Sequence, residues 1–180
     1  TLVLCVDVEE YFKQDPLIQV LLDKDGICPD SLKPSDERFW IQKPSAGFVR
    51  DCANEFFFSS TYVAKALLRN ELLFANRTFE HILHVELLRM LGYLAGVQNG
   101  FPLNTGKHDK WLLRLLPDEI CEELLKTYQL GSIEATWDSL YAAMDLFGES
   151  MAKVCGFLAY ECPDYLEKVK KYIEILKSMK

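Results

Sequence analysis

Six polar side chains in the stretch 51–75, DCANEFFFSSTYVAKALLRNELLFA, have types and spacing that could do chemistry. Asn54, Glu55, Ser59, Tyr62, Lys65 and Arg69 follow one another at intervals of one, three or four, so most of them share one side of a helix. A carboxylate there can accept a proton or hold a cation. The amide and phenol can hydrogen-bond a polar ligand, and the ammonium can face an anion. Phe48, Cys52, Phe56, Val63 and Leu67 fall on the other side, where they can build a core. Polar helix faces are also commonly just solvated. Spacing alone does not separate a ligand-facing wall from a solvent-facing one.

Other groupings are weaker. Asp7 and Glu9 follow an apolar run and could share a face, as a metal pair or as acids at a helix start. Asp23 and Asp25 flank a lysine in a turn, without the further oxygen ligands and later Glu of a calcium loop. His81 and His84 stand three apart, but the Glu-x-x-His companion of a helical metal site is missing. Arg77 and His84, with six residues between them, resemble the Arg…His motif of HEPN-type ribonucleases, which gives an alternative reading as an RNase or toxin-type module. The segment GFPLNTGKHDK (100–110) has no P-loop spacing, yet Lys107 stands where a helix start could also face an anion. No nucleophile elbow and no Gly-x-Gly-x-x-Gly occurs.

These residues need elements to hold them. Thr1–Asp7 reads as a strand and Val8–Lys13 as a helical turn. Asp23-Lys24-Asp25-Gly26 reads as a turn, and the proline-rich stretch 26–44 as a connector. From Pro44 onward the apolar period is helical. Ser45 caps a helix to about Arg69, and a second helix, about Glu71–Val97, ends near Gly100. A short helix is expected over Asp109–Leu116, and Pro117 opens another. Ser132 caps the longest, about Ile133–Ala159, and Pro163 opens the last, Asp164–Met179. The fold class is therefore mainly α, a bundle of five or six helices after a small strand/α segment.

Composition sets further bounds. The net charge of -7 disfavours nucleic acid as a partner, and the 49% apolar and 26% charged residues are those of a globular chain. No eighteen-residue apolar run is present to span a membrane, and TLVLCVDVEEYF lacks the basic leader of a signal peptide. The six cysteines include no C-x-x-C pair, so free thiols in the cytoplasm are expected and zinc is not. Thr1 follows no initiator methionine, so the chain reads as part of something larger.

Several stretches carry a resemblance. VLLDKDG (20–26), FWIQKP (39–44), residues 51–75, ELLRM (86–90), GFPLNTGKHDKW (100–111) and AYECPDY (159–165) closely resemble the aminoglycoside 6-adenylyltransferases, or streptomycin adenylyltransferases, in the same order. The resemblance covers essentially the whole chain. That family joins an N-terminal nucleotidyltransferase domain of the polymerase-β type to a C-terminal helical domain. The first carries a Gly-Ser motif, an Asp-x-Asp motif and a third aspartate, which hold Mg²⁺ and the nucleotide.

The resemblance implies that residues 1–25 are a remnant of the nucleotidyltransferase domain, 26–44 a connector and 45–180 the helical substrate-binding domain. It implies transfer of AMP from ATP to a hydroxyl of a streptomycin-like aminoglycoside, hence antibiotic resistance. Glu55 is the implied general base. Asp51, Asn54 and Tyr62 are implied drug contacts, and Lys65, Lys107 and Tyr128 nucleotide contacts. ATP and Mg²⁺ belong to the intact parent. This chain alone is expected to bind neither, to lack the metal carboxylates and to be inactive without the N-terminal domain. Homodimerisation is compatible with this reading.

Overall fold

The computed structural model describes residues 10, 14, 17–28 and 33–179. The expected strand at 1–7, with Asp7, and Glu9 lie outside the described residues, as does the turn at 8–13 apart from Glu10. The chain divides into two compact units, Thr1–Trp40 and Ile41–Lys180. In the first, Asp23 forms the expected turn. Its carboxylate accepts from the backbone N–H groups of Asp25, Gly26, Ile27 and Cys28 at 2.8–3.3 Å. Those donors hold the carboxyl below its ordinary pKa, against a smaller opposing effect of desolvation. Residues Glu37–Phe39 form one 3₁₀ turn.

The second unit is the helical bundle. Its helices are α1 (Ala46–Leu68), α2 (Leu72–Thr78), α3 (His84–Asn99), α4 (Asp118–Lys126), α5 (Ile133–Leu158) and α6 (Leu166–Ser178). Two short strands, β1 (Trp40–Ile41) and β2 (Leu103–Asn104), form a two-stranded sheet. The caps fall where the sequence placed them. Ser45 Oγ accepts from Phe48 N, and Ser132 Oγ from Ala135 N. Gly100 ends α3 at φ 97°, and Ala159 ends α5 in the left-handed region.

A π-helical turn, Phe79–Leu83, joins α2 to α3 in one rod. Its cause can be read in the apolar spacing. The buried residues Ala75, Phe79, Leu83, Leu87 and Leu91 are four apart throughout. On an ideal helix each such step overshoots the face by about 40°. A wider turn resets the phase, so one face stays on the core.

The core lies where α1 meets α5. The rings of Phe56 and Phe147 stack at 4.0 Å, and Phe57 meets both edge-on at 5.3 and 5.4 Å. α6 docks on α5 by setting Leu166 over Gly148, where a Cβ would come within 2.7 Å of the Leu166 side chain.

Four expectations change. Phe48 is 66% exposed rather than core, because no helix among the described residues covers the α1 face that it occupies. Ser59 is buried rather than on the open face. No α-helix forms over 109–116. Instead two 3₁₀ turns, Lys107–Asp109 and Leu112–Arg114, follow each other, since His108 and Asp109 take φ of 55° and 54°. Lys107 therefore does not head a helix. The last helix starts at Leu166, later than Pro163 suggested.

Candidate functional site

α1 presents one continuous open strip: Asp51, Asn54, Glu55, Phe58 and Tyr62 are exposed, and Lys65 is half-buried. Intervals of three, one, three, four and three keep them on one side. The strip exists because the opposite face of α1, from Cys52 through Leu67, is consumed by the core.

Glu55, Phe58, Tyr62 and Lys65 are each placed by a neighbour. Ser59 Oγ donates to Glu55 Oε1 at 3.4 Å, a long bond that restrains the carboxylate. Phe58 and Tyr62 meet edge to face at 5.1 Å. The Lys65 ammonium lies 5.6 Å from the Tyr62 ring centre and 5.5 Å from that of Tyr172 on α6. Two aromatic faces thus hold one cation at the end of an acidic row. At the far end Arg69 pairs with Glu71 at 2.7 and 2.9 Å, which takes it out of the candidate set.

The other two implied residues belong to a separate region. Lys107 is exposed on the turn after β2. There Asn104 Oδ1 accepts from Gly106 N at 2.8 Å, and Thr105 Oγ1 donates to Asp109 Oδ1 at 3.0 Å. Gly106 takes φ 73°, and a Cβ on it would sit 2.9 Å from the Lys110 and Trp111 side chains. The turn therefore requires glycine. Tyr128, beyond the end of α4, lines a recess with His108 and Asp109 of that turn. So Asp51, Asn54, Glu55, Tyr62 and Lys65 share one strip, while Tyr128 and the neighbours of Lys107 share another site.

His84 lies behind Tyr128. It is 4% exposed, and its Nε2 lies 2.9 Å from Thr127 Oγ1. The Thr127 hydroxyl already donates to Leu124 O at 2.7 Å, so Nε2–H is the donor of that pair. Burial pushes the imidazole pKa down to about 4, against the opposing effect of Thr127. A buried, neutral histidine of this kind is no surface acid–base group, so the ribonuclease-type alternative has no support here. Nor do His, Cys, Asp or Glu side chains converge in a group of three among the described residues.

The sequence reading missed Phe58, Tyr172 and Asp109. Phe58 had a signal: it stands four residues before Tyr62 and three after Glu55 on the same face. Tyr172 and Asp109 reach their places by tertiary packing and by an unusual backbone turn, which no local pattern announces.

A family model described as streptomycin adenylyltransferase matches residues 1–176. The chain belongs to that family. Among the streptomycin adenylyltransferase relatives, an aminoglycoside 6-adenylyltransferase of Bacillus subtilis (strain 168) is 39% identical over 97% of this chain and 62% of its own length. One from Campylobacter jejuni is 39% identical over 92% of this chain and 58% of its own. One from Staphylococcus aureus is 35% identical, with 96% and 62% covered. The crystal structure of an aminoglycoside 6-adenyltransferase from Bacillus subtilis matches with a TM-score of 0.71 at 39% identity, over 92% of this chain and 61% of that one. The chain thus spans about three-fifths of the length of these relatives. No helix among the described residues is long and apolar enough to cross a membrane.

Proposed function

We propose that residues 45–180 are the drug-binding helical domain of an aminoglycoside 6-adenylyltransferase, which moves AMP from ATP to a hydroxyl of a streptomycin-like aminoglycoside in the cytoplasm. The relatives extend beyond the matched stretch, and the proposal assigns the metal and the Gly-Ser and Asp-x-Asp chemistry to an N-terminal nucleotidyltransferase domain, with residues 1–25 as its last part and 26–44 as the connector. The observation that carries the reading is the α1 strip. It sets Asp51 and Glu55 beside Asn54, Phe58 and Tyr62. Carboxylates attract a polycationic sugar, amide and phenol groups bond its hydroxyls, and aromatic faces cover its apolar ring surfaces.

In the transfer, a drug hydroxyl attacks the α-phosphorus, and the bond from that phosphorus to the α–β bridging oxygen breaks, so that pyrophosphate leaves. Glu55 takes the hydroxyl proton, and its bond from Ser59 keeps one carboxylate oxygen turned along the helix, leaving the other to face the drug. Lys65 faces the phosphates from the end of the strip, and Lys107 reaches toward them from its separate turn after β2, where a fixed cation offsets the charge that develops in transfer. No step is assigned to magnesium within this chain. The 180-residue chain by itself is accordingly expected to be inactive. Incubating it with streptomycin and ATP labelled at the α-phosphate tests this: no labelled drug is expected. Label transfer by the chain alone at the rate of a complete enzyme would contradict the division of labour.

A further inference from the structure

A cavity lies between the segment 41–44 and the helices it packs on. It measures about 310 Å³ and is lined by Ile41, Lys43 and Pro44 of that segment, Phe48 of α1, and Arg89 and Tyr93 of α3. That volume stands at the low end of the usual range of about 300–1,000 Å³ for small-molecule sites, so it suits one ring with its substituent and not a nucleotide or a trisaccharide.

The walls are fixed by contacts outside the cavity. Ile41 packs on Gly92, where a Cβ would come within 2.3 Å of Ile41 Cδ1. Tyr160 Oη donates to Pro44 O at 3.0 Å and holds the other end of the segment. Cys52 Sγ donates to Glu86 O at 3.4 Å, which ties α1 to α3.

The polar groups favour an anion. Glu86 is 6% exposed, and its Oε2 lies 3.0 Å from Arg89 Nη1 without an aligned hydrogen bond. That buried carboxylate restrains the guanidinium from one side. The Nε–Nη2 edge of Arg89 has no protein partner among the described residues, and neither has the Lys43 ammonium. No Asp or Glu among the described residues lines the cavity. The open edge of a guanidinium presents paired N–H groups that match one carboxylate. Phe48 and Tyr93 add aromatic surface, and Ile41 and Pro44 aliphatic surface, which suit a flat apolar body.

Phe48 stands three residues before Asp51 and seven before Glu55, on the same side of α1. The cavity therefore adjoins the strip but carries the opposite charge. A polycation suited to the strip is disfavoured here.

We propose that this cavity binds a small aromatic carboxylate, with its acid group at the open edge of Arg89 and near Lys43 and its ring against Phe48 and Tyr93. The site goes beyond adenylyl transfer and does not depend on it.

The test is a titration of the 180-residue chain, with its isoleucine δ1 methyl groups isotopically labelled, using benzoate as the probe. Benzyl alcohol keeps the ring without the charge, and acetate keeps the charge without the ring. Benzoate is expected to shift the Ile41 methyl saturably, to bind less tightly as salt is added, and to bind about tenfold or more tighter than either control. Arg89→Gln should weaken benzoate about tenfold or more, the size of a lost hydrogen bond to a charged group. Phe48→Ser, at an exposed position, is the second variant. It should weaken benzoate about threefold or more through the lost ring contact, whether or not Arg89→Gln folds. The proposal is overturned if benzoate leaves the Ile41 methyl unmoved, or if Phe48→Ser binds benzoate as the parent does. Acetate binding as tightly as benzoate would leave a cationic patch only, and benzyl alcohol doing so an apolar notch only; either overturns it. Streptomycin shifting the Ile41 methyl and displacing benzoate would make the cavity part of the drug strip and overturn it too.

Discussion

The imidazole of His84 and the phenol ring of Tyr128 are stacked, with centres 4.0 Å apart. The contact joins α3 to the segment after α4, far apart in sequence. It also settles what each residue can do. His84 is walled in by Phe79, Thr127 and Tyr128, and so acts as support, while Tyr128 is left as the accessible ring.

Burial of His84 makes stability depend on pH. The folded pKa is about 4 against an ordinary 6.5. The unfolded chain therefore binds the proton more readily. The stability that the neutral imidazole contributes is fully present above pH 6.5 and is lost as the pH falls from 6.5 toward 4, levelling below that. The span corresponds to about 3 kcal/mol. Thermal unfolding between pH 7.5 and 4 should show this fall, and His84→Leu should flatten it. An equal fall in both proteins would show that other groups carry the acid sensitivity.

Gly96 on α3 is expected to resist a methyl group. A Cβ there would lie 2.1 Å from the Phe101 ring. Alanine would gain about 1 kcal/mol of helix propensity, yet the overlap costs about 1–3 kcal/mol. Gly96→Ala should therefore be destabilising in urea unfolding. In a Phe101→Ala background the same change should become stabilising. The same sign in both backgrounds would place the cost elsewhere.

Kinetics in the complete enzyme should separate the two groups of site residues. Glu55→Gln should lower kcat by about 100-fold or more while KM for the drug changes less, as loss of a general base does. Lys107→Ala and Lys65→Met should act on the ATP dependence. A Glu55→Gln enzyme with the parent kcat would leave Glu55 a binding group only.

Much of the bundle could be read along the chain because its signals are local. Ser45, Ser132 and Gly100 mark ends by chemistry that acts within a few residues, and the apolar spacing marks the faces. The failures are where local pattern and tertiary demand part. Leu112, Leu115 and Leu116 look helical, but the left-handed backbone at His108 and Asp109 breaks the segment into 3₁₀ turns. Phe48 has core chemistry, yet no helix among the described residues covers it. The strip on α1 was legible as a set of residues. Its proposed role as a site was not, since Tyr172 comes to it from α6 and a polar stripe looks the same whether it meets solvent or ligand.

The central claim is that the acidic, aromatic strip of α1 binds the cationic drug. Titration calorimetry of the 180-residue chain with streptomycin tests it most directly, in the parent and in an Asp51→Asn, Glu55→Gln double variant. The account expects saturable binding that weakens with added salt, and about a tenfold or greater loss of affinity in the double variant. Equal affinity in the two proteins, or no binding by the parent, would contradict it.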